Sequence, residues 1–61
     1  MHVNSEQKLI IKLVKGGLTN IEIAEEMGYS PNTIKKKLCV IYKLFNVRGR
    51  MALISKMLNY S

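Results

Sequence analysis

Apolar residues recur along this 61-residue chain at intervals of three and four, in four separate runs. Nowhere do they alternate with polar residues as a half-buried strand would require. The pattern predicts four helices. The first spans about residues 5–15, where Leu9, Ile10, Ile11, Leu13 and Val14 sweep one broad apolar arc and Lys8, Lys12 and Lys15 form the opposite strip. Asn4 stands at the cap, Gln7 three residues on completes a capping box, and Val3 can staple onto the Lys8 stem or onto Leu9. Gly16-Gly17 stops the helix. The second spans about 20–27, with Ile23, Ala24 and Met27 inward and Glu22, Glu25 and Glu26 outward; Leu18, in the loop before it, is expected in the core. The third spans about 31–45, where Ile34, Leu38, Ile41 and Phe45 draw one narrow stripe. After a short turn at Asn46-Val47-Arg48-Gly49, the fourth spans about 50–59. Its apolar set, Met51, Leu53, Ile54, Met57 and Leu58, covers nearly half the circumference, a wider arc than packing on one small core requires.

The middle of the chain writes its helix boundaries openly. Thr19 is a cap with Glu22 at the capping-box position. Met27-Gly28-Tyr29 ends that helix, Gly28 supplying a residue that tolerates positive φ. Ser30 caps the next helix, and Pro31 occupies its first position, where a missing N–H costs nothing. Two short helices joined by a glycine-containing turn, the second opening with lysines, follow the grammar of a helix-turn-helix, whose second helix enters a DNA major groove.

Charge sharpens that reading. Residues 1–30 carry three lysines against four glutamates, a net of −1, and residues 31–61 carry seven basic and no acidic side chains, a net of +7; the two sum to +6. The basic half begins where the third helix begins. Such asymmetry points to a polyanionic partner, and on charge alone DNA, RNA and an anionic membrane all fit. An apolar content of 48% excludes a disordered chain. A chain this short makes one domain, residues 1–61, and buries only about 60% of its unfolded surface. It has no apolar run of spanning length and no secretory signal. One cysteine cannot form an internal disulfide, and there is no Cys/His cluster for a metal; a reducing cytoplasm and no cofactor are expected. Catalysis finds no support, because there is no His/carboxylate pair, and Gly16-Gly17 lacks the Lys-Ser/Thr of a phosphate loop.

The face of the third helix opposite its apolar stripe carries Asn32, Lys35, Lys36, Cys39 and Lys43. Lysine donates to guanine O6 and N7, and asparagine pairs with adenine, so Lys35 and Lys36 are the first candidates for base contacts, with Asn32 and Cys39 at the edges of the footprint. Lys37 points about 100° from Lys36, toward the flank, where a phosphate is its target. Thr19, Asn20 and Thr33, at helix starts, also suit phosphate oxygens. In an arbitrary protein a run of three lysines is more often a solvated helix face; its position on this helix reverses that preference. Arg50 is expected to lay its stem on the core and pair with Glu22 or a carbonyl, and Tyr29 to be core. Tyr29, Tyr42 and Tyr60 are too scattered for a stacking platform, Cys39 reads as a small spectator rather than a redox switch, and His2 is idle.

From Val3 to about Tyr60 the chain resembles the LuxR/FixJ-type (GerE-like) helix-turn-helix domain of bacterial transcription regulators. That family's pattern, written loosely, is L-T-x-R-E-x-x-V-L, then G-x-[ST]-N-x-E-I-A, then S-x-x-T-V-K-x-H, then K-L-x-V and R-x-x-A. The chain matches it in register at Gly17, Thr19, Asn20, Glu22, Ile23, Ala24, Ser30, Thr33, Ile34, Lys35, Ile41, Val47 and Arg50. It departs at Glu6-Gln7 in place of Arg-Glu, at Lys37 in place of His, at Leu44-Phe45 in place of Lys-Leu, and at Ala52-Leu53 in place of a polar residue and Ala.

The resemblance implies an all-α, four-helix LuxR-type domain. Helices two and three bind double-stranded DNA, and helix four dimerises, here through Met51, Ile54 and Leu58. It implies sequence-specific DNA binding and transcription regulation in a bacterium, its phage or a plasmid, with a cytoplasmic, nucleoid-associated location and a weak homodimer. Regulators of this kind usually carry a separate signal-receiving domain, for which 61 residues leave no room. The chain is therefore either a stand-alone regulator or a fragment, and Met1 with its close N-terminal cap mildly favours the former. Two rival readings stand beside this one. The chain can be a protein-interaction module that pairs with a larger regulator through its fourth helix and titrates it. It can also be a module contacting RNA polymerase, like the last domain of sigma factors.

Overall fold

The structure, a computed structural model, describes residues 2–60, less the side chain of Tyr60. Met1 and Ser61 lie outside the described residues. Four helices follow one another: α1 (Ser5–Lys15), α2 (Asn20–Met27), α3 (Pro31–Phe45) and α4 (Arg50–Tyr60). Only the last boundary differs from the sequence expectation, by one residue, within the usual fraying of a helix end.

The starts of α1, α2 and α3 close through side chains. Asn4 Oδ1 accepts from the Gln7 N–H at 2.7 Å, and Gln7 Oε1 accepts from the Asn4 N–H at 2.9 Å. Thr19 and Glu22 make the same reciprocal pair at 3.2 and 2.8 Å. Ser30 Oγ accepts from the Thr33 N–H at 3.2 Å, with Pro31 at the first helical position. Each box satisfies donors that the first turn of a helix otherwise leaves without partners.

Three helix ends turn through the left-handed region. Gly17 (φ 89°) lets its own N–H reach the Val14 carbonyl and the Leu18 N–H reach that of Leu13, a Schellman closure. Asn46 (φ 55°) closes α3 in the same way, onto Lys43 and Tyr42. Gly28 (φ 75°) makes the corner between α2 and α3, its N–H and that of Tyr29 both reaching the Ala24 carbonyl. A side chain at that φ would be strained, which is why the tight corner calls for glycine.

Among the described residues the core is wholly apolar: Ile10, Ile11 and Val14 from α1, Ile23 and Ala24 from α2, Ile34, Leu38 and Ile41 from α3, and Leu53 from α4. Leu13, Leu18, Met27, Tyr42, Phe45, Val47, Ile54 and Met57 pack around it, partly buried. Two expectations are corrected. Leu9, placed in the apolar arc of α1, is exposed, because that arc is wider than the face the other helices cover. Tyr29 is exposed rather than core; it follows the Gly28 corner and turns its ring toward α1. Among the described side chains of α4 only Leu53 is fully buried, while Met51 and Leu58 stay exposed. Two cations supplement that single anchor. Lys56 Nζ donates to the Phe45 carbonyl at 2.7 Å, serving the open end of α3, and Arg50 Nη1 donates to the Leu18 carbonyl at 2.7 Å.

The distribution of burial on α4 sets a stability test. Leu53→Ala should lower the unfolding free energy by about 2–5 kcal/mol, since it empties a fully buried position of the helix. Met51→Ala, at an exposed position, should change it by less than about 0.5 kcal/mol. Urea denaturation followed by circular dichroism measures both; comparable losses would mean that α4 packs by another face.

Candidate nucleic-acid interface

α3 is held in one rotational setting because Ile34, Leu38 and Ile41 are sealed in the core. Its opposite side presents Asn32, Lys35, Lys36, Cys39 and Lys43, all exposed, as the spacing predicts. Val40, half exposed at 51%, shares this outer surface, and the sequence reading passed over it. Basic side chains on an exposed helix face, with carboxylates confined to α1 and α2, give a surface suited to a polyanion.

The flanks are built from the caps. Thr19 is exposed; its hydroxyl oxygen accepts from the Glu22 N–H and its O–H remains a donor. Thr33 Oγ1 lies 2.9 Å from Ser30 Oγ, so the two hydroxyls are tied together where α3 begins. Asn20 is half-buried, and its Oδ1 accepts a hydrogen bond from Arg50 Nη2. Arg50 finds a carbonyl, that of Leu18, as one of its expected partners. The other expected partner, Glu22, instead completes the Thr19 box.

Lys37 is turned toward α1. Its Nζ lies 2.9 Å from Glu6 Oε1 and 5.0 Å from the centre of the Tyr29 ring, and the Tyr29 hydroxyl donates to Glu6 Oε2. The ammonium expected at a phosphate is thus committed to α1, because the flank of α3 to which it points is covered by the first turn of that helix. Glu6, Tyr29 and Lys37 bind the start of α1, the corner after Gly28 and the middle of α3 into one polar tie. The signal for it was in the sequence as two separate departures of opposite charge from the family pattern, Glu6 for Arg and Lys37 for His; the contact joins them. The Tyr29 hydrogen bond, and after it Lys37, hold the Glu6 carboxyl below its ordinary value. The bond to Glu6 raises both the Tyr29 phenol and the Lys37 ammonium.

Among the described residues no three His, Cys, Asp or Glu side chains are placed to hold a metal ion, and no helix is long and apolar enough to cross a membrane. The free Cys39 thiol is exposed on the outer face of α3.

Comparison with known proteins bears on this geometry. The family model described as bacterial regulatory proteins, luxR family, matches residues 4–57, which takes in all of α1, α2 and α3 and most of α4. The two-component response regulator PprB of Pseudomonas aeruginosa is 33% identical over 51 residues. The match covers 84% of this chain and 18% of that protein. No solved structure matches the chain.

The polar tie sets a pH dependence. Because the folded Glu6 carboxyl is depressed, its contribution is complete above the ordinary carboxylate range and disappears as pH falls through its lowered value. Because Lys37 and Tyr29 are raised, theirs is complete below their ordinary values and disappears as pH rises through the raised ones. The difference in melting temperature between the wild-type chain and Glu6→Gln should therefore be widest near neutral pH and close toward both extremes. A difference that does not change with pH would dissolve the tie as an electrostatic unit.

Proposed function

The chain belongs to the LuxR family of bacterial regulatory proteins, a family of DNA-binding, transcription-regulating helix-turn-helix domains, and on that premise we propose that it binds double-stranded DNA at a specific sequence with α3 in the major groove. The observation that carries this reading is the exposure of Lys35 and Lys36 on the surface of α3 left outside its buried stripe. These two side chains read base edges, with Asn32, Cys39 and Lys43 around them. Thr19, Asn20 and Thr33 hold phosphates from the helix starts. Lys37 reaches a phosphate only by leaving Glu6, and so ranks below them. The protein acts in the bacterial cytoplasm, on the chromosome or on phage or plasmid DNA.

Lys35→Ala with Lys36→Ala should abolish binding to a site selected from a random DNA pool while leaving helicity unchanged, each base contact contributing about 1–3 kcal/mol. Wild-type affinity should fall with salt at a log–log slope of about 0.9 per neutralised phosphate. Undiminished binding by the double variant would remove these lysines from the reading face.

Assembly follows from α4. Met51 and Leu58 are exposed at 75% and 63%, and Ile54 lies between them, partly buried. We read these residues as a weak homodimer surface that strengthens on DNA carrying two half-sites. The same exposure favours a second reading, in which α4 pairs with a larger regulator and withdraws it from DNA. Leu58→Glu should weaken binding to a paired site far more than to a single half-site. Equal losses on the two DNAs would take α4 out of the homodimer, and heterodimers formed with a full-length regulator that then releases its DNA would favour titration.

A further inference from the structure

Arg50 is the first residue of α4, yet its side chain serves the start of α2. Its two terminal nitrogens divide between the Leu18 carbonyl and Oδ1 of Asn20, both bonds partly buried. A guanidinium has five donors and no acceptor. The end of the Asn20 amide that faces it must therefore be the oxygen, and the usual two-fold ambiguity of an asparagine side chain does not arise. The other end, the NH2, has no hydrogen-bond partner among the described residues and can only donate. A phosphate oxygen can only accept. An asparagine free to flip would offer a phosphate its oxygen part of the time and repel it.

Among the described residues Arg50 has no carboxylate partner, so its charge adds to the field around Asn20. Lysine in its place keeps that charge but not the planar fork that spans two acceptors.

We propose that Arg50 is a positioning residue for DNA binding: by taking Asn20 Oδ1 and tying down the Leu18 carbonyl, it presents the Asn20 NH2 as a fixed donor to a backbone phosphate. The proposal rests on the DNA-binding reading above and on the phosphate role of Asn20. It deepens both by naming the residue that gives the contact its polarity.

The test is a double-mutant cycle on the full chain with the DNA site selected from a random pool. Asn20→Ala should weaken binding about ten-fold, the size of one hydrogen bond to a charged group. Arg50→Lys should weaken it by a similar factor. The double variant should bind no more weakly than either single one, because Arg50 acts only through Asn20. If Arg50→Lys costs the same factor in the Asn20→Ala background as in the wild type, Arg50 acts by its charge or by its own contact, and the proposal fails.

Asn20→Asp guards against loss of fold. It keeps an acceptor for Arg50 and replaces the donor by a second, charged acceptor, so the chain should stay folded and bind more weakly than Asn20→Ala. Affinity equal to wild type in that variant overturns the proposal while the DNA-binding reading stands. Failure of the wild-type chain to retain any DNA from the pool overturns that reading, and the proposal with it.

Discussion

The burial of one stripe on α3 is the constraint on which the rest depends. Ile34, Leu38 and Ile41 lie against α1 and α2, and sealing them fixes the rotation of α3 about its own axis. A helix has only one surface left once its apolar stripe is committed, and here that surface is lysine-rich. The exposed lysine face is thus a by-product of core packing: Ile34, Leu38 and Ile41, spaced four and three apart, share one side of the helix, and once that side is buried Lys35 and Lys36 are left outside it. Any redesign of the core that rolled α3 by one residue, about 100°, would carry Lys37 to the position now held by Lys36 and Val40 to that of Cys39.

What could be read from the sequence was what a few consecutive residues decide. Both capping boxes, the Ser30-Pro31 start and the Gly28 corner are contests between adjacent backbone and side-chain groups, and all stand where the residue types placed them. The stripe of α3 was legible for a similar reason, since period alone settles it. What could not be read required knowing which helix lies beside which. Leu9 matches the period of its helix but falls at the edge of the arc the neighbours cover. Tyr29 is apolar enough for a core and has a hydroxyl that found a carboxylate 23 residues away. For Arg50 a carbonyl partner was foreseeable, because loop carbonyls are common and a guanidinium seeks acceptors. Its second acceptor, the Asn20 side chain, follows only from the way α4 crosses the start of α2.

The distribution of charge has two regimes. Lys35 and Lys36 stand exposed where they raise the local potential, whereas Lys37, the next residue along, is spent on holding α1 to α3. Three consecutive lysines therefore do two jobs, and the boundary between them is set by one step of helical rotation. The negative end of that tie sits on the first turn of α1, where a carboxylate also suits the helix dipole.

α4 is received by backbone acceptors. Lys56 and Arg50 both reach main-chain oxygens, those of Phe45 and Leu18. The Phe45 oxygen belongs to the last turn of a helix, where carbonyls lack intrahelical partners whatever their side chains are. An acceptor of that kind is present in every variant of the residue that carries it. The docking of α4 is therefore insulated from sequence drift at the receiving positions: Leu18 and Phe45 can exchange for other apolar residues and still offer the same oxygen. Only the two cations and the buried Leu53 need to be kept, which leaves the exposed surface of α4 open to divergence.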